Sequence, residues 1–277
     1  MRLRDLGKSQ NLIVVSDVHM RHPNDERTKL FSKFLSELPV CDTLVLLGDI
    51  FDFINARQHF YYDFWSSVFT ELSRLRNKGI KVIFIEGNHD YGFQHGTHPS
   101  VKACFDHCGD FWGKLEHGQL GQLLLLHSDD VVCPPSYRLF RGLVKSRVFQ
   151  WLASPIPGAT TQSLFSKVAT ASRSKDDFRR LSPQFLTDCV DHLLTARIPQ
   201  LDCEPNLCVF GHIHVSLDDH RSDIRFVSTP DWFSAPSYLH FNETGEVVRG
   251  WLATQSPSPE RFCFAEKALV SVDVNLK

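Results

Sequence analysis

Five short apolar runs in this chain each end in a small cluster of aspartate, asparagine or histidine. The runs have the length and β-rich composition of buried strands, and helical patterns such as Glu26–Leu38 separate the early ones. This β-α-β alternation predicts a layered α/β core. The clusters are Asp17-Val-His19, Gly48-Asp49, Gly87-Asn88-His89-Asp90, His127-Ser-Asp129 and Gly211-His212-Ile-His214. Because ligands bind beyond the carboxyl ends of the strands in such folds, we expect the clusters to meet in one site.

Size, charge and hydropathy limit the classes of protein to consider. A chain of 277 residues is long enough for one large domain with a modest insertion. The net charge of −2 does not provide the basic surface of a typical nucleic-acid-binding domain, so we expect no nucleic-acid partner. No apolar run approaches the ~20 residues that span a bilayer. The first ten residues, MRLRDLGKSQ, lack the apolar middle of a secretory signal. We therefore expect a cytoplasmic protein.

Residues 134–181 differ from the rest of the chain. Tyr137–Leu152 and Thr161–Ser172 show helical patterns, separated by a break at Ser154–Gly158. Positive charge also collects in this stretch, where nine lysines and arginines face only two aspartates. We interpret it as a helical lid inserted into a single domain that covers residues 1–277. After it the chain returns to apolar runs, which predict strands at Asn206–Phe210, Ile224–Ser228, Ser237–Phe241 and Val247–Trp251, the last three antiparallel.

The polar clusters combine the residue types that bind transition metals. At the end of an extended segment, residues i and i+2 point the same way, so the two members of Asp-x-His or His-x-His can reach one ion. Mixed carboxylate and imidazole ligands favour manganese, iron or zinc over magnesium or calcium. Asp49 can bridge two ions, and Asn88 adds a neutral oxygen. We therefore predict two divalent ions, with Mn²⁺ as the expected metal and iron or zinc as alternatives. The predicted ligands are Asp17, His19, Asp49, Asn88, His127, His212 and His214.

Such a pair of ions suits the hydrolysis of phosphoesters. Two ions about 3.5–4 Å apart neutralise the phosphate oxygens, lower the pKa of a bound water and stabilise an in-line displacement. His89 follows the ligand Asn88 and is the natural general acid, so we assign catalysis to Asn88 and His89. We expect Asp52 and Asp90 to orient ligands rather than to bind metal.

The ordered motifs D-x-H, GD-x-x-D, GNH-D, H and GH-x-H, over residues 12–216, resemble those of the calcineurin-like metallophosphoesterases. The resemblance implies a four-layer α-β-β-α sandwich. It also implies one ion at Asp17, His19, Asp49 and His214, and a second ion at Asp49, Asn88, His127 and His212. His89 would then lie near the substrate phosphate.

The lid is similar to that of one branch of this family, the UDP-2,3-diacylglucosamine diphosphatases of lipid A synthesis. The similarity lies in GDIFDF, in Tyr137, Phe140 and Arg141, in the turn from Ser172 to Lys175, and in Pro230–Phe241. It implies an acylated UDP-sugar substrate, cleaved to UMP and the diacylglucosamine 1-phosphate. The implied substrate-binding residues are Tyr137, Arg141, Ser172, Arg173 and Lys175. A basic, apolar lid would also rest on the cytosolic surface of the inner membrane.

Two other interpretations remain open on the sequence. The chain departs from that branch at Cys133-Pro134-Pro135, which replaces an acidic turn, and at Val215-Ser216, which follows GH-x-H in place of Arg-Pro. A different phosphodiesterase or phosphomonoesterase acting on a nucleotide or phosphoprotein would carry the same metal ligands. A binding scaffold that had lost catalysis would keep the same fold.

Overall fold

Two large sheets dominate the computed structural model, which describes residues 3–164, 183–214, 216–229, 232, 236–253 and 263–268. One sheet has six strands in the order β1-β8-β9-β10-β12-β11, and the other has seven in the order β15-β14-β13-β2-β3-β5-β7. A small third sheet pairs β4 with β6. The strands are β1 Arg4–Ser9, β2 Leu12–Val15, β3 Thr43–Leu47, β4 Ile54–Asn55, β5 Lys81–Ile85, β6 Asp90–Tyr91, β7 His107–Gly109, β8 Gly113–His117, β9 Gly121–Leu126, β10 Leu207–Phe210, β11 Asp218–Arg221, β12 Ile224–Ser228, β13 Ser237–Phe241, β14 Val247–Ala253 and β15 Cys263–Ala268.

Helices cover both outer faces of the paired sheets. They are α1 Glu26–Ser36, α2 His59–Phe64, α3 Ser66–Asn77, α4 Pro99–Lys102, α5 Pro135–Val144, α6 Arg147–Ala153, α7 at residues 158–164, and α8 Pro183–His192. A π-helical turn, Leu193–Arg197, and a 3-10 turn, Ile198–Gln200, follow α8. No described helix is both long and apolar enough to cross a membrane.

The alternation of side chains along the strands builds the layers. In β2, Leu12 and Val14 pack between the two sheets, whereas Ile13 and Val15 face the helices on the other side. That outer cluster includes Phe31 of α1 and residues of α3, and a separate cluster packs α8 against the six-stranded sheet. The order is therefore helix, sheet, sheet, helix, which confirms the predicted α-β-β-α fold class.

Two details of the sequence prediction were wrong. The helix predicted over Tyr137–Leu152 is divided, because α5 ends at Val144 and the hydroxyl of Ser146 caps α6 by accepting a hydrogen bond from the Phe149 amide. The strand at Ile224–Ser228 is not purely antiparallel, since it pairs in parallel with β10 and antiparallel with β11. The helix predicted over Thr161–Ser172 overlaps α7 as far as Leu164, and its remainder lies outside the described residues.

Candidate metal centre

Strands from both sheets deliver the polar clusters to one edge of the sandwich. Strands β2, β3 and β5 are parallel neighbours in one sheet, and β9 and β10 are parallel neighbours in the other. The loops beyond them stay in register, since the Asp17 amide donates to the Gly48 carbonyl at 3.0 Å and the His19 amide to the Asp49 carbonyl at 2.9 Å. The structure brings together all seven residues predicted as ligands, namely Asp17, His19, Asp49, Asn88, His127, His212 and His214.

The backbone of these loops is strained where the side chains turn inward. Five of the seven residues have positive φ: 55° at Asp17, 51° at His19, 53° at Asp49, 68° at His212 and 60° at His214. Non-glycine residues rarely adopt this conformation, and each instance costs roughly 1–3 kcal/mol. Strain of this kind concentrates at functional sites, where the surrounding structure enforces it.

Asp17 organises the first group of ligand atoms. Its Oδ1 atom lies 3.2 Å from Nε2 of His214 and 3.9 Å from Nε2 of His19. Its Oδ2 atom accepts hydrogen bonds from the Ser16 hydroxyl and, at 2.9 Å, from the His212 amide. The carboxylate is therefore fixed on one side and presents Oδ1 to the two imidazoles.

Asp49 connects the first group to the second. Its Oδ2 atom lies 3.8 Å from Nε2 of His19 and 3.4 Å from Nε2 of His127. Asn88 Oδ1 lies 3.3 Å from the same His127 nitrogen, and His212 completes the group with Asp49 and His127. The Nδ1 atom of His127 is 2.8 Å from the Leu47 carbonyl, which orients the ring with Nε2 toward the cluster. Asp49 is thus placed to bridge two ions.

The charges and unpartnered atoms of the cluster fit bound cations. Asp17 Oδ1 and Asp49 Oδ2 are buried, and neither accepts a hydrogen bond from any residue that the structure describes. Burial raises the pKa of both carboxyls, but neighbouring imidazoles, chiefly His214 for Asp17 and His127 for Asp49, bring the net pKa below the ordinary value. Buried carboxylate charges without donors are costly, and divalent cations would compensate them.

His89 lies at the outer side of the cluster. Its side chain is 13% exposed, whereas those of His19, Asp49 and His127 are each 1% exposed. Its Nδ1 atom is 2.9 Å from the Asp52 carbonyl, and its Nε2 atom is 4.0 Å from Asp49 Oδ2. This exposure suits a residue that meets a substrate, although its ring nitrogen is also near enough to Asp49 and His19 to belong to a metal-ligand group.

Asp90 connects two of the ligand loops, and Asp52 lies beside the ring of His19. The Asp49 and Gly87 amides donate to Asp90 Oδ2 at 2.6 and 3.2 Å, which ties the loop after β3 to the loop after β5. Burial, followed by the charge of Asp49, raises the pKa of Asp90 to about 8. Asp52 Oδ1 lies 3.8 Å from Nδ1 of His19, on the far side of that ring from the cluster.

The predicted substrate-binding residues fall into two sets. Tyr137 and Arg141 lie on α5, where the Tyr137 hydroxyl donates to Asp129 Oδ2 at 3.1 Å and Arg141 pairs with Asp129 and Asp110. Ser172, Arg173 and Lys175 lie outside the described residues. Sequence reasoning missed Lys145, a buried cation that contacts the loop before Asn88, because no local pattern distinguishes it from the other basic residues of the insertion.

Comparison with known proteins identifies the family of this chain. A profile of the family described as Calcineurin-like phosphoesterase matches residues 11–216. A protein named UDP-2,3-diacylglucosamine hydrolase from Vibrio parahaemolyticus is 25% identical over 242 residues, covering 84% of this chain and 95% of that protein. A protein of the same name from Aeromonas salmonicida is 25% identical over 243 residues, covering 82% and 88%. The solved structure of Yfce, a phosphoesterase from E. coli, is 15% identical with a TM-score of 0.38, covering 94% of this chain and 100% of that one. The chain therefore belongs to the calcineurin-like phosphoesterase family.

Proposed function

We propose that this protein is a two-metal hydrolase that cleaves the diphosphate of UDP-2,3-diacylglucosamine to UMP and 2,3-diacylglucosamine 1-phosphate. The observation that carries the proposal is the bridging position of Asp49 between two groups of ligand atoms, close to an insertion that exposes apolar side chains. The substrate is the one named for relatives that are 25% identical to this chain.

The residues of the centre divide between two ions. Asp17, His19, Asp49 and His214 would hold one ion, and Asp49, Asn88, His127 and His212 the other. When bound, two divalent ions, with manganese as the expected metal, neutralise phosphate oxygens and lower the pKa of a bound water.

His89 supplies the proton in this proposal. The Asp52 carbonyl holds the Nδ1 side of its ring, which leaves Nε2 on the side of Asp49. A protonated His89 would donate from Nε2 to the leaving oxygen as the phosphorus–oxygen bond breaks. Asn88 keeps the adjoining loop in place through its contact with His127.

The insertion offers a surface for the acyl chains. Of the nine large apolar side chains that are strongly exposed among the described residues, eight lie between positions 139 and 164. They are Leu139, Phe140, Leu143, Val148, Trp151, Leu152, Ile156 and Leu164. Single exposed apolar residues are common on soluble proteins, but a concentration of this kind marks a binding surface.

The same surface favours attachment to a membrane. The substrate carries its acyl chains in the bilayer, and Arg138 adds positive charge to the exposed part of α5. We therefore propose a cytoplasmic protein that binds peripherally to the inner membrane. In a flotation assay at low salt, the protein should rise with anionic liposomes. Its remaining with the soluble fraction would rule out this part of the proposal.

The test of the activity is release of UMP from UDP-2,3-diacylglucosamine by the purified protein with added Mn²⁺. Generic p-nitrophenyl phosphoesters serve as the comparison. Fast release of UMP with slow turnover of the generic esters would support the proposed substrate. Fast turnover of simple esters or nucleotides without UMP release would leave a phosphoesterase of different specificity, and no turnover of any substrate would indicate a binding scaffold.

A further inference from the structure

Two basic residues of the insertion contact the loops of the metal centre instead of facing solvent. We propose that Arg141 and Lys145 are positioning residues that tie α5 to the loops bearing Asn88 and His127, so that α5 and the ion at those two ligands stabilise each other. The inference rests on the metal assignments of the proposed function, but not on its substrate.

Lys145 lies at the corner where α5 ends and α6 begins. Its side chain is only 5% exposed, and its Nζ atom donates to the Gly87 carbonyl at 2.8 Å. It also lies 3.3 Å from Glu86 Oε2 and 3.6 Å from Asp110 Oδ1. Because Gly87 directly precedes Asn88, a cation from the insertion holds the backbone of a predicted metal ligand.

Glu86 extends this contact along the loop. Its side chain is buried, and its Oε1 atom accepts hydrogen bonds from the Phe93 amide and, at 3.0 Å, from the Gln94 amide. Glu86 directly precedes Gly87, and its carboxylate binds the amides of Phe93 and Gln94. It therefore closes the loop from Gly87 to Phe93, which carries Asn88 and His89. Lys145 compensates the charge of that carboxylate from the opposite side.

Arg141 makes the matching connection to the other loop. Its Nε atom donates to Asp129 Oδ2 at 2.6 Å, and its Nη2 atom donates to Asp110 Oδ1 at 2.6 Å. Asp129 is two residues after His127, and its side chain is 1% exposed. Asp110 contacts both Arg141 and Lys145, so the two cations and three carboxylates form one network.

The network attaches α5 to the core through charged groups. Of the ten residues in α5, only Val144 is buried, so apolar packing contributes little to its docking. Charge-assisted hydrogen bonds in a buried setting are strong and directional. The guanidinium of Arg141 is engaged by carboxylates through Nε and Nη2, which favours a positioning role over the phosphate contact that the sequence suggested.

The coupling has to act in both directions. If α5 holds the Asn88 and His127 loops in the geometry that binds an ion, then binding of that ion must stabilise the docked α5 by the same free energy. The ion at Asp17, His19 and His214 has no ligand on the Asn88 loop or the His127 loop. The network should therefore affect the binding of that ion only through Asp49. Loss of the network should therefore weaken the binding of the ion at Asn88 and His127 more than that of the other ion.

The experiment is a direct titration of Mn²⁺ into the metal-free protein, without substrate. The Lys145→Met variant should bind one of the two ions about 10–100-fold more weakly, as expected when a partner of a metal ligand is lost. The affinity for the other ion should change by less than about threefold. The control is Arg138→Met, on the exposed side of the same helix, which should bind both ions as the unmodified protein does. Lys145→Arg should restore much of the lost affinity.

A second variant distinguishes loss of the Lys145 contact from misfolding of the protein. Lys145→Met leaves Glu86 buried without its cation, so the double variant Glu86→Gln/Lys145→Met removes both charges while keeping the Oε1 acceptor for Phe93 and Gln94. It still lacks the donor to Gly87, and we expect it to fold and to show the same selective loss. Wild-type affinity for both ions in a folded variant, or equal weakening of both, would overturn the inference.

Hydrogen exchange tests the reverse direction in the unmodified protein. Mn²⁺ should increase the protection of the α5 amides, and this increase should be absent in the double variant. Unchanged exchange in α5 on saturation with metal would overturn the coupling. Binding of two ions without UMP release would reject the proposed substrate and leave this inference intact, whereas failure to bind two ions would reject both.

Discussion

The Nε2 atom of His127 lies 3.4 Å from Oδ2 of Asp49, and both side chains are buried. Burial alone would lower the pKa of His127, but Asp49, together with the charges of Asp17 and Asp129, outweighs burial and raises the pKa to about 10. The metal-free protein therefore carries a proton at neutral pH in the position where an ion would bind. Metal binds neutral imidazole, so ion and proton compete for His127.

Metal binding should therefore release a proton and weaken as the pH falls. Below the pKa of about 10, the affinity for the ion at His127 should drop by up to about tenfold per pH unit. Calorimetry of Mn²⁺ binding in two buffers with different ionisation enthalpies measures the protons released. Identical heats in both buffers near pH 7 would contradict the assignment.

The same raised pKa affects the stability of the metal-free protein. The pKa of His127 is about 10 in the folded protein against an ordinary value of 6.5, so protonation of His127 stabilises the fold. This stabilisation is complete below pH 6.5 and is lost as the pH rises to about 10. Urea denaturation across this range should show the metal-free protein losing stability with rising pH. His127→Gln should remove most of that dependence.

Position 48 requires glycine for two reasons, its backbone conformation and the closeness of the His127 ring. Its φ is +85°, and a Cβ atom there would lie 2.3 Å from Nδ1 of His127. Gly79 has a similar φ of +88° but nothing within 4 Å of an added Cβ. Gly79→Ala should cost about 1–2 kcal/mol of unfolding free energy from backbone strain. Gly48→Ala should cost about 1–3 kcal/mol more through steric overlap, and should also weaken metal binding.

Denaturant unfolding of the two glycine variants provides the comparison. Equal losses of unfolding free energy would show that the His127 ring can move away without penalty. That result would remove the steric argument for glycine before the bridging aspartate.

His89 should act in the chemical step rather than as a ligand. His89→Gln should lower kcat by about 10²–10⁴-fold, the usual contribution of a general acid, and leave the binding of two Mn²⁺ ions unchanged. Steady-state kinetics and a metal titration of the same variant separate the two roles. Loss of one ion in His89→Gln would instead place His89 among the ligands, where its 4.0 Å distance from Asp49 also allows it.

The exposed apolar residues of the insertion should matter only for acylated substrate. Trp151 and Leu139 are 66% and 76% exposed. Replacing either with serine should lower kcat/KM for the acylated substrate by about 10–100-fold, which corresponds to burial of one large side chain. Turnover of a water-soluble p-nitrophenyl ester should not change. Val40, 85% exposed between α1 and β3, gives the control Val40→Ser, and an equal effect there would argue against a specific acyl surface.

Much of this site was predictable because its residues follow strands that the sequence marks clearly. The runs Leu12–Val15, Thr43–Leu47 and Leu207–Phe210 are wholly buried, so their apolar composition is continuous and easily recognised. Parallel strands then carry the residues after them to the same edge. The strands before Asp17 and His214 were therefore predictable, but the positive φ of both residues, 55° and 60°, departs from the extended geometry that the sequence prediction assumed.

Edge strands and long-range ion pairs were not predictable in the same way. Strand β1 reads RDLGKS, with only Leu6 and Ser9 buried, because it borders its sheet and most of its side chains face solvent. The pairing of Lys145 with Glu86 spans 59 residues and depends on where the insertion folds back. Side-chain patterns report local periodicity, so they identify Lys145 as basic without showing that it is buried.

The most direct test of the two-metal centre is the number of Mn²⁺ ions bound per chain at saturation, measured by equilibrium dialysis. The unmodified protein should bind two ions. Asp49→Ala should retain at most one with measurable affinity, because Asp49 is placed to serve both. A saturated stoichiometry of one ion or none in the unmodified protein, or two tightly bound ions in Asp49→Ala, would contradict the account.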